Sequence, residues 1–84
     1  MTAAVELRSR AEMFGWEIHC DDARLEDTFI HDQNMVAVNY RRDGSVDQGY
    51  RYVFNRITDL KLQERTGPRN KKSAVLGWLV NLGH

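Results

Sequence analysis

The chain has 84 residues, of which 42% are hydrophobic, and its 12 Lys plus Arg balance its 12 Asp plus Glu. Eight aromatic side chains are enough for a core, so residues 1–84 are expected to form one domain rather than a tail or linker. Neutral net charge excludes a histone-like nucleic-acid binder, and a single Cys excludes a disulfide scaffold.

The first predicted element is a helix over residues 3–14. Four apolar residues in this range recur at spacings of three and four, which places them on one helical face. Thr2 is the predicted N-cap of this helix. Gly15 stands where a left-handed residue commonly ends a helix.

A period of two follows the first helix and indicates strands. Residues 16–20 alternate between apolar and polar side chains, which predicts a half-buried strand. Residues 21–27 are rich in acids and are expected to form a solvated loop. Residues 28–31 are predicted to form a second short strand, and residues 32–34 are predicted to form a turn.

A β-hairpin is the clearest element of the sequence. Alternation over residues 35–40 leads to Asp43-Gly44, a strong turn signal, and alternation resumes over residues 50–54. Gly49 is expected to mark a β-bulge, because a bulge tolerates a missing side chain.

The aromatic residues of the return strand allow two interpretations. Tyr50, Tyr52 and Phe54 share one phase, so they are expected to form the core face under the helices, with Arg51 on the open face. Alternatively, these aromatics lie beside arginines on an exposed sheet and stack unpaired bases.

The C-terminal part contains one ambiguous segment and a second helix. Residues 56–64 fit either a strand or a helical turn. A loop over residues 66–70 precedes a helix over residues 71–82, with Asn70 as its expected cap. The predicted fold class is α+β, in α-β-β-β-α order. It consists of an antiparallel three- to four-stranded sheet with an N-terminal and a C-terminal helix on one face. The other face of the sheet is a candidate binding surface.

Charge is distributed unevenly along the chain. Residues 1–32 carry a net charge of −5 and residues 33–84 a net charge of +5. Four cations and no acid lie within residues 65–72, at the start of the last helix. Free backbone N–H groups flanked by cations favour a phosphate there. The alternative is a solvated loop whose cations pair with the acidic residues 21–27.

The element order, with Lys71 and Lys72 opening the second helix, resembles the topology of the double-stranded RNA-binding domain. This resemblance implies that the two lysines hold phosphates across a groove. The stretch from Phe54 to Lys71 is longer than the last loop of that family, and Val75 stands where the family has a third Lys.

The chain is also similar to small uncharacterised proteins of actinobacterial phages. Three segments carry this similarity: Gly15-Trp16-Glu17, Tyr50-Arg51-Tyr52 and Gly67-Pro68-Arg69-Asn70-Lys71-Lys72. The similarity implies a phage-encoded accessory protein in the cytoplasm of a host cell, and it assigns no activity. The lone Cys and the absence of an export signal also favour the cytoplasm.

No catalytic, metal or cofactor site is predicted. His19 and Cys20 are neighbours on a strand and should point to opposite faces, so they should not bind one ion. A Cys20–His31 nucleophile–base pair requires the fold to bring the two together, and a small buried thiol is more common.

The prediction for function is a non-enzymatic binding protein that contacts a protein partner or itself through the apolar last helix, with no membrane association. Its expected interface residues are Leu76, Trp78 and Val80, because this helix carries more apolar surface than one sheet face requires. The alternative is a nucleic-acid-binding module. Its expected contacts are Arg41, Arg42, Arg51, Arg65, Arg69, Lys71 and Lys72.

Overall fold

A computed structural model describes residues 2–55 and 59–83. Two helices flank five strands in chain order. The elements are α1 (Ala3–Met13), β1 (Glu17–Asp21), β2 (Glu26–His31), β3 (Asn34–Tyr40), β4 (Val46–Phe54), β5 (Leu60–Arg65) and α2 (Lys71–Leu82).

The α+β class and the two terminal helices are confirmed, but the sheet has five strands rather than three or four. Each strand pairs antiparallel with the next, in the spatial order β1-β2-β3-β4-β5. The ambiguous segment supplies the fifth strand at residues 60–65, and its residues 56–58 lie outside the described part.

Both helices cover the same side of the sheet, which we call the helix side. Apolar residues of α1 and α2 meet those of the inner strands in one core. The fully buried or nearly buried members of this core are Leu7, Ala11, Trp16, Phe29, Val36, Val38, Val46, Val75 and Leu79. Burial of these side chains is the main stabilising contribution, at about 25 cal/mol per Å² of apolar surface.

The helices also pack against each other and run in the same direction. At their starts, the Lys72 Nζ lies 2.8 Å from a carboxylate oxygen of Glu6. At their ends, the Trp16 indole N–H donates to the Leu79 carbonyl at 2.9 Å, within the core. The last helix of the chain therefore completes the packing of the first.

The predicted helix boundaries agree closely with the structure. The Thr2 side chain accepts a hydrogen bond from the Val5 N–H at 3.4 Å and caps α1. Gly15 has a φ of 82°, the left-handed conformation expected after the helix. Asn70 occupies the N-cap position of α2 but has a φ of 56°, and its side chain caps no backbone N–H.

The phase of β4 is opposite to the one predicted. Val36 and Val38 are buried under the helices, and their cross-strand partners on β4 are Arg51 and Gly49. Cross-strand partners share a sheet face, so Arg51 lies on the helix side. Tyr50, Tyr52 and Phe54 therefore lie on the other side, away from both helices.

Gly49 explains why β4 has this phase relative to the helices. A Cβ atom at Gly49 would lie 2.7 Å from the Val75 Cγ2 and 3.1 Å from the Thr66 Cγ2, so α2 approaches β4 too closely for a side chain. The predicted bulge lies two residues earlier, because Asn39 pairs with Gln48 while Tyr40 pairs with Val46. The close approach of α2, rather than a bulge, explains the glycine.

Strand β2 begins earlier than predicted and includes two acids assigned to the solvated loop. Glu26 and Asp27 are its first residues, and Asp27 is completely buried.

Within the described part of the chain, neither helix has the length and hydropathy needed to cross a membrane.

Candidate interaction surfaces

The side of the sheet away from the helices carries an apolar cluster, which we call the open face. Strand alternation and register direct apolar side chains from four neighbouring strands to this side. They are Ile30, Met35, Ala37, Tyr50, Tyr52, Phe54, Leu60 and Leu62. Such continuity across four strands makes the open face a candidate contact surface.

Among the apolar side chains of the open face, exposure is greatest near the β5 edge. Leu60 and Leu62 each expose 46% of their surface. Phe54, Leu60 and two neighbours line a shallow depression of about 160 Å³. The Tyr50 and Tyr52 rings lie 6.3 Å apart between centroids, so they form a continuous aromatic strip along β4.

Charges lie around the margin of the open face and are mainly negative. Glu17, Asp21 and Glu26 lie on this side of β1 and β2, as the alternation of these strands requires. Arg65 pairs with Tyr50 at the opposite margin. Among the described strand residues, the open face therefore carries three carboxylates and one guanidinium.

A concavity of about 390 Å³ lies at the N-terminal end of α2, and we call it the basic concavity. Its cations are Arg41, Lys71 and Lys72. The first turn of α2 has no acidic residue, and the helix has no side-chain cap. A helix start of this kind attracts anions. The other lining residues are Ser45, Val46, Pro68, Asn70 and Ser73.

Contacts within the chain already engage the cations of the basic concavity. The Lys71 Nζ donates to the Asp47 carbonyl at 2.7 Å, and Arg41 lies 3.3 Å from the Asp47 carboxylate. Lys72 pairs with Glu6, and the hydrogen bond from its ammonium lowers the pKa of that carboxyl. A phosphate bound here would compete with these partners.

The remaining predicted nucleic-acid contacts do not line the basic concavity. Arg51 lies on the helix side, where its guanidinium binds the Glu64 carboxylate at 2.7 Å. Arg65 lies on the open face. Arg42 and Arg69 are exposed and form no side-chain ion pair with another described residue. The expected pairing with residues 21–27 is not formed by Lys71 or Lys72 either.

A buried polar network, which sequence reasoning missed, joins α1 to the sheet. The Asp27 carboxylate accepts from the Arg8 guanidinium at 2.9 and 2.8 Å and from the Tyr40 hydroxyl at 2.8 Å. The hydrogen bond to Asp27 raises the pKa of Arg8, while burial followed by the same carboxylate raises the pKa of Tyr40. The signal in the sequence was the phase that Asp27 shares with Phe29.

Cys20 is exposed, and its surroundings raise the pKa of its thiol. Desolvation, and then the charge of neighbouring Asp27, raise the pKa of the Cys20 thiol, which disfavours the nucleophilic thiolate at neutral pH. His31 stands four residues beyond Asp27 on β2, about 13 Å along the strand. Its ring packs on Trp16, with centroids 5.6 Å apart. The Cys20–His31 pair is therefore not formed.

The His19 and Cys20 side chains point to opposite sides of β1, as the sequence predicted. The His19 Nε2 lies 2.6 Å from a Glu17 carboxylate oxygen, on the open face. Residues 2–55 and 59–83 contain no group of three or more His, Cys, Asp or Glu placed to hold a metal ion.

The predicted interface residues of α2 are only partly accessible. Leu76 and Trp78 are half-buried and pack against the core, and Val80 is half-buried as well. The apolar surface of α2 is thus largely used inside the chain. The most exposed large apolar side chains of the described sheet residues belong to β5 instead.

Comparisons of the chain with protein-family models, curated proteins and solved structures gave no match. No functional residue is therefore carried over from a relative.

Proposed function

We propose that this protein is a non-enzymatic binding protein whose open face contacts a protein partner. The main support is the register of β3 and β4, which directs Tyr50, Tyr52 and Phe54 away from both helices. Antiparallel sheets commonly keep such a face polar, so a continuous apolar one is typical of a contact surface.

The charge of the open face favours a protein over a nucleic acid as the partner. Base stacking on Tyr50 and Tyr52 would need cations along the nucleic-acid backbone. The open face offers Arg65 against three carboxylates, which repel phosphates. An apolar centre with charges at the margin matches the composition of protein interfaces.

The last helix is the alternative protein-binding surface. Leu76, Trp78 and Val80 are all half-buried, and so are Tyr50, Tyr52 and Phe54. The open face adds Leu60 and Leu62, which remain exposed. Because exposed apolar area is what a partner can remove from water, the open face ranks first.

Site-specific photocrosslinking tests this proposal. A photoreactive phenylalanine replaces Tyr52 on the open face, Val80 on α2 or, as an exposed apolar control, Met13 on α1. The proteins are irradiated in a lysate of cells that express the chain. We expect a discrete adduct at Tyr52, and we expect Leu62→Lys to lower its yield about tenfold by placing a charge in the interface.

The pattern of adducts identifies the surface. An adduct at position 80 alone would assign the partner to α2 and contradict the open-face proposal. Equal labelling at Tyr52 and Met13, unchanged by Leu62→Lys, would mean that apolar exposure alone is being detected.

The second candidate function is anion or nucleic-acid binding at the basic concavity. The specific observation in its favour is that Arg41, Lys71 and Lys72 converge beside a helix start without a side-chain cap. This candidate ranks below the first because intrachain partners already engage all three cations.

Fluorescence anisotropy with labelled duplex DNA, single-stranded DNA and duplex RNA tests the second candidate. Three phosphate contacts predict a slope of about −2 to −3 for log affinity against log salt concentration. Lys71→Glu with Lys72→Glu should abolish binding. Arg10→Glu with Arg24→Glu is the matched control, because it changes net charge equally at exposed positions outside the basic concavity. Equal losses in both double variants would contradict a local site.

A further inference from the structure

β5 is an edge strand with an unused side. One side pairs with β4, and in the described part of the chain no strand pairs with the other. All of its residues, Leu60–Arg65, are exposed. Such an edge presents a row of unpaired backbone N–H and C=O groups. We propose that it pairs antiparallel with β5 of a second copy of this chain.

The sequence of β5 is complementary to itself in this arrangement. Centring the pair between Leu62 and Gln63 places Lys61 opposite Glu64 of the second copy, and Glu64 opposite its Lys61. Leu60 and Arg65 then stand opposite each other at both ends. Opposite charges directly across an antiparallel pair are stabilising, and this register brings no like charges together.

The register of β5 against β4 already places the two charged side chains of this pair on the same face of the sheet. Lys61 pairs with Val53 and Glu64 with Arg51, so both side chains lie on the helix side. They share that side because the register shifts at Gln63. Cross-strand partners must share a face, so Lys61 can meet Glu64 of the second copy, whose carboxylate also accepts from Arg51 of its own chain at 2.7 Å.

At the other edge of the sheet, antiparallel self-pairing of β1 centred on His19 places Glu17 opposite Asp21 and His19 opposite itself. Two carboxylates directly opposite each other are destabilising. In this register the charges oppose contact between two copies at β1, whereas the register described for β5 brings opposite charges together.

The two-fold axis of this dimer runs perpendicular to the sheet, so both copies keep their helices on one side. The two open faces then join on the other side of one continuous sheet. Five strands about 4.8 Å apart and about 20 Å long give roughly 480 Å² for one open face. A stable interface needs about 800 Å² per partner, which the joined faces of two copies supply. This gain in area rests on the proposed function, whereas the pairing of β5 does not.

Sedimentation velocity of the whole chain tests the dimer and needs no partner. We expect wild type to reach twice the chain mass of 9.8 kDa as concentration rises. Lys61→Glu sets two carboxylates opposite each other at both cross-strand pairs, and Glu64→Lys sets two ammonium groups opposite each other. Each change should weaken self-association at least about tenfold. An equimolar mixture of the two variants should recover the dimer, because both cross-strand pairs are then complementary.

The control is Arg69→Glu, which makes the same charge change as Lys61→Glu in an exposed loop and should leave the dimer intact. Circular dichroism checks that each variant folds. Hydrogen exchange of wild type, which needs no variant, should show protection of residues 60–65 rising with concentration.

Three results would overturn the proposal. The first is a wild-type monomer at every concentration. The second is a dimer that neither charge change weakens. The third is growth beyond two copies, which would indicate β5 pairing with β1 in an open chain. A confirmed dimer without adducts at Tyr52 would reject the proposed function alone.

Discussion

Replacing Asp27 with Ala is expected to lower the free energy of unfolding by about 3 kcal/mol. Asp27 is completely buried and accepts hydrogen bonds from Arg8 and Tyr40. Its loss would leave a largely buried guanidinium and a hydroxyl without their partner, a change that typically costs about 3–5 kcal/mol. The lower end applies because the Arg8 side chain is 32% exposed. Urea unfolding followed by circular dichroism measures the effect.

An effect of this size is large for the domain. Proteins of this length are stabilised by about 4–13 kcal/mol in total. A loss of about 3 kcal/mol corresponds to a fall in Tm of about 12–24 °C. Asp22→Ala is the matched control, because Asp22 is 89% exposed and contacts the same guanidinium at 3.3 Å. It should cost less than about 1 kcal/mol. Equal losses would show that burial of Asp27 contributes nothing.

Replacing Gly49 with Val should also cost about 3 kcal/mol, at the upper end of the range for overpacking. The Cβ alone would stand 2.7 Å from the Val75 Cγ2, and the branched side chain adds two further methyl groups. Overpacking of this kind typically costs about 1–3 kcal/mol, and Gly49→Ala should fall in the lower half of that range. Because Trp78 lies 3.5 Å from the same Cβ position, displacement of α2 should shift tryptophan emission to the red.

Gly77→Ala is the control, and it should raise the stability of the protein, which Gly49→Val lowers. A Cβ atom at Gly77 has no neighbour within 4 Å among the described residues, and Gly77 lies inside α2. Alanine should stabilise the helix by about 0.5–1 kcal/mol. Thermal unfolding of both variants distinguishes close approach at Gly49 from a general effect of replacing glycine. A neutral Gly49→Val would contradict the contact between α2 and β4.

Short sequence patterns predicted the elements whose boundaries depend on neighbouring residues. Thr2 and Gly15 delimit α1 because capping depends on neighbouring backbone groups. Asp43-Gly44 predicted the hairpin between β3 and β4, and Gly44 has a φ of 90°. The sequence of residues 56–64 is ambiguous because Leu60 and Leu62 fit the period of a strand, while Ile57 and Leu60 fit that of a helical turn.

The face of the sheet on which the aromatics lie required tertiary information. Alternation shows that Tyr50, Tyr52 and Phe54 share one side, but it does not show which side the helices cover. Gly49 decides this, because α2 approaches β4 where no side chain intervenes. The aromatic residues of the open face, which carries the proposed function, were therefore predicted to be core residues.

Asp27 was misassigned for a related reason. Its main partner, Arg8, lies 19 residues away in the sequence, so no local pattern links the two. Acids are almost never buried without a partner, and the run of acids around Asp27 favoured a solvated loop. Only the pairing of β2 with β3 brings Asp27 beneath α1 and beside Tyr40.

The parallel packing of α1 and α2 also orders events during synthesis. Each strand pairs with the one made just before it, so the sheet can form step by step as the chain leaves the ribosome. The apolar face of α1 must wait longer, because Val75 and Leu79 follow all five strands in the sequence. Until α2 has been made, the nascent chain therefore holds the strands of the sheet with one side of the core uncovered, and docking of α2 closes that core.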